Sequence, residues 1–131
     1  MITQDAKKWS SLIHLSALAS FVFPFGNIVA PVVIWFMKKD ESDFIDKNGK
    51  SVLNFQISFT LYSLIIIGFF IGNFLSLFES QIFYVERETL FPLWITFVFS
   101  FYGIQLVLAL IGAVRAYNGK IFSYPLSFRF L

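Results

Sequence analysis

His14 is the only imidazole of this 131-residue chain, and imidazole is the side chain best suited to carry protons or bind metals near neutral pH. The chain contains no cysteine, which excludes thiolate catalysis, thiolate metal sites and disulfides. No acidic residue lies in the apolar stretch around His14, so a haem or zinc site would lack further ligands. We therefore expect a hydrogen-bonded core histidine, with no cofactor and no metal.

A group of acidic residues after the first apolar stretch is the other place where a cation could bind. Its spacing does not fit the alternate positions of a calcium loop, and no closing Glu follows. Four lysines interleave with these acids, so we predict a solvated loop that residues 46–50, which are typical of turns, bring to an end. The sequence also lacks a phosphate-binding glycine loop, a Gly-x-Ser-x-Gly motif and an acid pair within an apolar stretch, so we predict no enzyme. The acidic residues are Asp40, Glu41, Asp43 and Asp46.

Three long stretches contain no Asp, Glu, Lys or Arg: residues 9–37, 51–78 and 89–114. Each exceeds the roughly 18–20 residues that a helix needs to cross a bilayer. Only 14% of the chain is charged, against about a quarter in soluble domains. Its mean hydropathy is +0.74. We predict a single integral membrane domain over residues 1–131. Its partner is the lipid bilayer and not nucleic acid, because the basic residues flank the apolar stretches.

The first stretch is interrupted by Pro24-Phe25-Gly26-Asn27, residue types that favour a turn. A hairpin places nine of the ten basic residues on one face, whereas a single crossing places seven there, so the positive-inside tendency favours the hairpin. The second arm is too short for a full crossing. We predict an all-α, polytopic transmembrane helix bundle with segments at about 6–23, 27–38, 51–78 and 90–116. The first two of these four membrane helices form a hairpin, and the second is short or re-entrant.

Two alternatives for the first stretch stay open. One is a single long helix kinked at Pro24. The other is a signal peptide with a cleavage site at residues 17–19.

Residues 121–131 form a tail that is too short to span and rich in Phe and Leu, so we predict that it lies on the membrane surface. The charge count predicts a multi-pass protein with both termini in the cytoplasm. Aromatic residues at the predicted boundaries are Trp9, Trp35, Tyr117 and Tyr124 on the inner face, and Tyr84 and Trp94 on the outer face.

Polar side chains within the apolar stretches should face other helices or a wet cavity. Asn54, Ser58 and Tyr62 recur every fourth residue and share one helix face. Such residues either form hydrogen bonds between helices or line a polar cleft. The candidates for both roles are His14, Asn54, Gln56, Ser58, Tyr62 and Gln105.

Small residues indicate where helices approach each other closely. Gly68 and Gly72 form a GxxxG pattern, and Ala109, Gly112 and Ala113 belong to a stripe at helical spacing. We predict that both pack within the protein, with self-association as the alternative for the GxxxG pair.

Several short segments together resemble one family. They are His14-Leu15-Ser16-Ala17-Leu18, residues 24–31, Asn54-Phe55-Gln56, residues 116–120 and Tyr124-Pro125. In this order they resemble the small bacterial membrane proteins of the Tic20-like group, of uncharacterised function, over about residues 9–131. That group is similar to the twenty-kilodalton subunit of the chloroplast inner-envelope translocon. The resemblance implies a four-helix membrane bundle in a bacterial cytoplasmic (inner) membrane and a role in moving or inserting polypeptides.

Two functions follow as hypotheses. The first is a component or accessory of a protein translocation or transport assembly, with other membrane subunits as partners. The alternative is a regulatory or scaffold protein that binds another membrane protein or a soluble factor. A water-accessible cavity lined by Asn54, Gln56 and Gln105 would favour transport, whereas a dry, sealed core around them would favour a scaffold.

Overall fold

A computed structural model describes the backbone of residues 1–78 and 83–131 and the side chains of residues 1–75 and 90–131. Over these residues the chain is helical and has no strand, which confirms the all-α prediction. The side chain of Tyr84, a predicted anchor, lies outside the described side chains. Four α-helices are present: α1 (Gln4–Ser16), α2 (Gly26–Lys38), α3 (Asp43–Phe78) and α4 (Phe83–Tyr117). Two 3-10 segments, Ala17–Phe21 and Lys39–Glu41, follow α1 and α2.

Two of these helices contain stretches long and apolar enough to cross a membrane, judged by length and composition: Asp43–Leu75 in α3 and Leu90–Tyr117 in α4. Helices α1 and α2 have 13 residues each. At 1.5 Å per residue each is about 20 Å long, short of the ~30 Å hydrocarbon core. The number of helices agrees with the prediction, but crossing by all four is not shown.

Contacts divide the chain into two compact units. The terminal unit comprises Met1–Phe59 and Leu106–Leu131, and the middle unit comprises Thr60–Gln105. Every buried hydrophobic residue among the described side chains belongs to the terminal unit, including Ile13, Leu53 and Ala109. The described side chains of the middle unit instead expose large apolar groups, as a helix surface facing lipid would.

The hairpin of α1 and α2 is set by local interactions at both ends. Thr3 caps α1, because its hydroxyl accepts a hydrogen bond from the Ala6 amide at 3.2 Å. The chain reverses after the first 3-10 segment, and α2 begins at Gly26, within the predicted turn. The left-handed residue there is Phe25, with φ 61°. Helices α1 and α2 pack against each other, an arrangement that a single kinked helix would not allow.

The beginning of α3 differs from the prediction. Residues 43–50 form the first turns of this helix, so the predicted turn at residues 46–50 is wrong. Ser42 starts the helix, since its hydroxyl accepts from the Phe44 amide at 3.2 Å. Asp46 accepts from the Trp35 indole at 2.9 Å and pairs with Lys50 at 2.8 Å. These contacts with α2 and along α3 outweigh the turn preference of the sequence.

Gly26 lets the hairpin close tightly. A Cβ at this position would lie 2.4 Å from the carbonyl oxygen of Ala19. We expect Gly26→Ala to lower the free energy of unfolding in mild detergent by about 1–3 kcal/mol, because the backbone would have to move apart.

Gly103→Ala is the matched control, because a Cβ at Gly103 meets no atom within 4 Å. We expect this variant to be neutral or more stable by up to ~1 kcal/mol, through helix propensity. Equal melting shifts for the two variants would contradict the close approach at Gly26.

Candidate functional site

The terminal unit contains a group of buried polar side chains instead of a purely apolar core. Polar groups removed from water are stable only when they are hydrogen-bonded, so their partners define how the unit is assembled. The polar side chains of this unit with an exposed fraction of 7% or less are Ser10, His14, Asn27, Asn48, Asn54, Gln56 and Ser58.

His14 is fully buried and connects three parts of the chain. Its Nδ1 lies 2.7 Å from the Tyr124 hydroxyl, and its Nε2 lies 3.0 Å from Oδ1 of Asn48. Asn48 in turn donates from Nδ2 to the Phe44 carbonyl at 2.9 Å. Because Oδ1 can only accept, the Nε2–H of His14 donates to it, and the neutral ring then accepts at Nδ1 from the tyrosine. The predicted core histidine therefore joins α1, α3 and the tail.

Tyr124 is enclosed by aromatic rings. It stacks on Phe55 with centroids 4.3 Å apart and planes at 11°, and the ring of Phe122 meets it edge-on at 4.7 Å. Burial raises the pKa of the Tyr124 phenol above its usual value, so the hydroxyl stays protonated and donates to His14. Tyr124 is only 7% exposed, so the prediction of a membrane-interface anchor at this residue is wrong.

The small-residue stripe of α4 lies against this cluster. Ala109 and Ala113 are buried, and Gly112 leaves the space that the two rings occupy. A Cβ at Gly112 would lie 2.4 Å from Nδ1 of His14 and 2.8 Å from the Tyr124 hydroxyl. Gly112 in this stripe thus leaves room for the hydrogen bond between His14 and Tyr124.

The tail is held along one face of α3. The Asn54 Oδ1 accepts from the amides of Phe130 at 2.8 Å and Leu131 at 2.9 Å. Ser58 accepts from the Phe128 amide at 2.9 Å, and Ser51 donates to the Phe122 carbonyl. Residues 51, 54 and 58 follow helical spacing, so three polar side chains bind the backbone of the tail in turn.

A second polar contact connects α2 with α3. Asn27 donates from Nδ2 to Oε1 of Gln56 at 3.0 Å, and both residues are buried. Within the middle unit, Gln105 is fully buried and Tyr62 is half-buried. Of the face shared by Asn54, Ser58 and Tyr62, the first two residues belong to the network around the tail.

The GxxxG pair lies in the middle unit and has no close neighbour in the described part of the chain. A Cβ added at Gly68 or Gly72 would meet no atom within 4 Å. Packing through these glycines stays a prediction.

The acidic group borders an open cavity of about 630 Å³ at the junction of α2 and α3. Lys38 pairs with Glu41 at 2.7 Å, and Lys50 pairs with Asp46. Across the side chains that the structure describes, no group of three or more His, Asp or Glu residues could hold a metal ion. The cavity is lined by Trp35, Lys39, Asp40, Glu41, Ser42, Asp43, Asp46 and Lys50.

The sequence does not predict the roles of four residues in the network. It predicts turns at Asn27 and Asn48 and an interface anchor at Tyr124, and it gives Ser51 no role. The spacing of Ser51 with Asn54 and Ser58 is the one signal that could have placed Ser51 on the same face.

Comparison with known proteins assigns the chain to a family. Residues 5–131 match the model of the magnetosome magnetite crystal formation protein family. The chain belongs to this family. No curated protein and no solved structure matches it significantly. The resemblance to the Tic20-like group is therefore wrong, since the match covers nearly the whole chain and names a different family.

Family membership and the two apolar helices together identify a membrane protein. The implied role in protein transport loses its support, because it came from the resemblance alone. The buried network is a feature of the terminal unit that the short shared segments did not reveal.

We expect Tyr124→Phe to lower the free energy of unfolding by about 1–3 kcal/mol, because it leaves Nδ1 of His14 buried without its donor. Denaturant unfolding in detergent measures this change. Tyr117→Phe is the control, since Tyr117 is 51% exposed and should lose almost nothing. Similar losses in both variants would mean that the His14–Tyr124 bond does not stabilise the fold.

We expect Asn54→Ala to release the end of the tail. Amide hydrogen exchange at Phe130 and Leu131 should become at least roughly fivefold faster, because each amide loses a hydrogen bond worth ~1 kcal/mol. The control is Asn73→Ala, as the Asn73 side chain is exposed and donates to the Phe69 carbonyl of its own helix. Unchanged exchange in Asn54→Ala would show that other contacts hold the tail.

Proposed function

We propose that this chain is a small, multi-pass membrane scaffold without enzymatic activity, which assembles with other membrane proteins. The observation that supports this proposal is the burial of the three side-chain amides that would have to line a transport path. Asn54 is 7% exposed, and Gln56 and Gln105 are fully buried. Asn54 and Gln56 are engaged by the tail and by Asn27, as a sealed core requires.

The outer surface of the middle unit supports association within the bilayer. Its described side chains include Ile65 (70% exposed), Phe69 (62%) and Phe99 (76%), which suit lipid or the helix of a partner. Gly68 and Gly72 share this unit, and self-association through them belongs to the same proposal.

The charge distribution supports a topology in which α3 and α4 cross the membrane. Nine of the ten Lys and Arg residues belong to the terminal unit, and the tenth is Arg87. Under the positive-inside tendency, both termini lie in the cytoplasm and the membrane is the bacterial cytoplasmic one or one derived from it. All four helices are membrane-associated in this arrangement.

The family description supplies the setting of the proposal. Its members are described by magnetite crystal formation in magnetosomes, and we carry this setting over to the chain. In that setting the scaffold would hold partner proteins in the membrane around a growing crystal. The more specific role in polypeptide translocation is not carried over, because the family assignment removes its basis.

Two experiments test the two parts of the proposal, gene replacement for the magnetosome setting and cysteine labelling for the sealed core. The chain would be expressed in a magnetosome-forming bacterium that lacks its own family member, and we expect normal magnetite crystal size by electron microscopy.

In isolated membranes, Gln56→Cys and Gln105→Cys should not react with a water-soluble maleimide, because both positions are buried. The natural chain has no cysteine, so every signal comes from the introduced thiol.

Lys8→Cys is the positive control for labelling, since Lys8 is exposed, and labelling in detergent-denatured samples shows that each thiol is reactive. Rapid labelling of Gln56→Cys or Gln105→Cys in the membrane would indicate a water-filled path and exclude the sealed scaffold. If the crystals do not return to normal size although the protein is present at a normal level, the magnetosome setting is excluded.

A further inference from the structure

We propose that the hairpin of α1 and α2 is a one-leaflet anchor: its turn enters the acyl chains, and its open end stays at the lipid phosphates without crossing. This inference rests on the membrane role proposed above and adds the class of partner, phospholipid of a single leaflet. The hairpin here means α1, the 3-10 segment Ala17–Phe21, the turn and α2.

The turn presents a cluster of bare apolar side chains. Phe21 is 60% exposed, Val22 83%, Phe23 42% and Phe25 60%. Adjacent exposed aromatic and aliphatic groups mark a surface that binds membrane or protein. Since these residues stand at the extreme end of the hairpin, they would be the first part to enter a bilayer.

Three backbone amides of the turn have internal partners, as polar groups in hydrocarbon require. The amides of Val22 and Phe23 both donate to the Ala19 carbonyl, at 3.0 and 3.1 Å. Gly26 donates to the Phe23 carbonyl at 3.1 Å, and Pro24 has no amide hydrogen to satisfy. These amides need no water.

The serines near the turn are satisfied in the same way. Ser16 donates to the Ile13 carbonyl at 2.7 Å, and Ser20 donates to the Ala17 carbonyl at 3.4 Å. Hydroxyls that bond to their own helical segment lower the cost of placing them in lipid. Both hydroxyls near the turn are thus already paired.

The open end of the hairpin has the opposite character. Lys38 lies over the ring of Trp9, with Nζ 4.6 Å from its centroid, so both arms reach the same level there. Lys39 lies 5.4 Å from the Trp35 centroid and 5.3 Å from that of Phe36. Tryptophan next to lysine is typical of the headgroup level of a membrane, where the amine meets phosphate.

The length of the arms excludes a crossing and fits one leaflet. Helix α2 has 13 residues, which corresponds to about 20 Å. A bilayer with its headgroups is ~40–45 Å thick, so one leaflet is roughly 20 Å. With Trp9 and Lys38 at the phosphates, the turn therefore reaches about the middle of the bilayer.

Cysteine reporters in the full chain test this placement. The protein would be reconstituted into vesicles of phosphatidylcholine and phosphatidylglycerol, with single cysteines at Val22 in the turn, Lys8 at the open end, or Ser80 between α3 and α4. A membrane-impermeant maleimide is added to either face. Bimane-labelled samples are then quenched with phospholipids brominated at different depths.

We expect that a cysteine at Val22 does not react with maleimide added to either face. The fluorescence of bimane at this position should be quenched most strongly by bromines near the ends of the acyl chains. Lys8 should react from one face only. Phe23→Cys is a second turn reporter and decides the result if Val22→Cys does not fold.

Two outcomes overturn the anchor. Labelling of the turn from the face opposite Lys8 would mean that the hairpin crosses, and labelling from the Lys8 face would mean that it lies outside the bilayer. Ser80 tests the proposed function separately. If it reacts from the same face as Lys8, the crossing by α3 fails, whereas the turn reporters still decide the depth of the hairpin.

Discussion

A buried imidazole joins segments that are far apart in the sequence. His14 of α1 accepts from Tyr124 of the tail and donates to Asn48 at the start of α3. Each ring nitrogen has one partner, so the ring is fixed in one orientation and one tautomer. The positions of α1, α3 and the tail in the terminal unit all depend on these two bonds.

The surrounding residues are arranged to keep this polar centre dry. Phe55 and Phe122 pack around Tyr124, and Gly112 of α4 leaves room for the hydrogen bond. The hydrogen-bonded groups of this network favour one arrangement strongly, because any other arrangement would leave them buried without partners. This favours a single defined structure for the terminal unit, where apolar packing alone would discriminate weakly.

Local sequence patterns predicted the helical class, because long uncharged apolar stretches can hardly be anything else. They failed where tertiary contacts decide. Residues 46–50 have turn-forming side chains, yet Trp35 and Lys50 both bind Asp46, and the segment is helical. The contacts of the tail with α3 join residues 70 or more positions apart, and no local periodicity reveals such pairing. The family could not be predicted from a few short segments, because the match that assigns it extends over residues 5–131.

The contact between the tail and α3 also imposes an order on biosynthesis. Ser51, Asn54 and Ser58 are translated early, and their partners in residues 122–131 are made only after all four helices. While the rest of the chain is being elongated, α3 must keep these hydroxyl and amide groups solvated or temporarily paired with something else. Completion of the terminal unit therefore follows the synthesis of α4, and a ribosome stalled within α4 would leave a nascent chain whose polar face is still open.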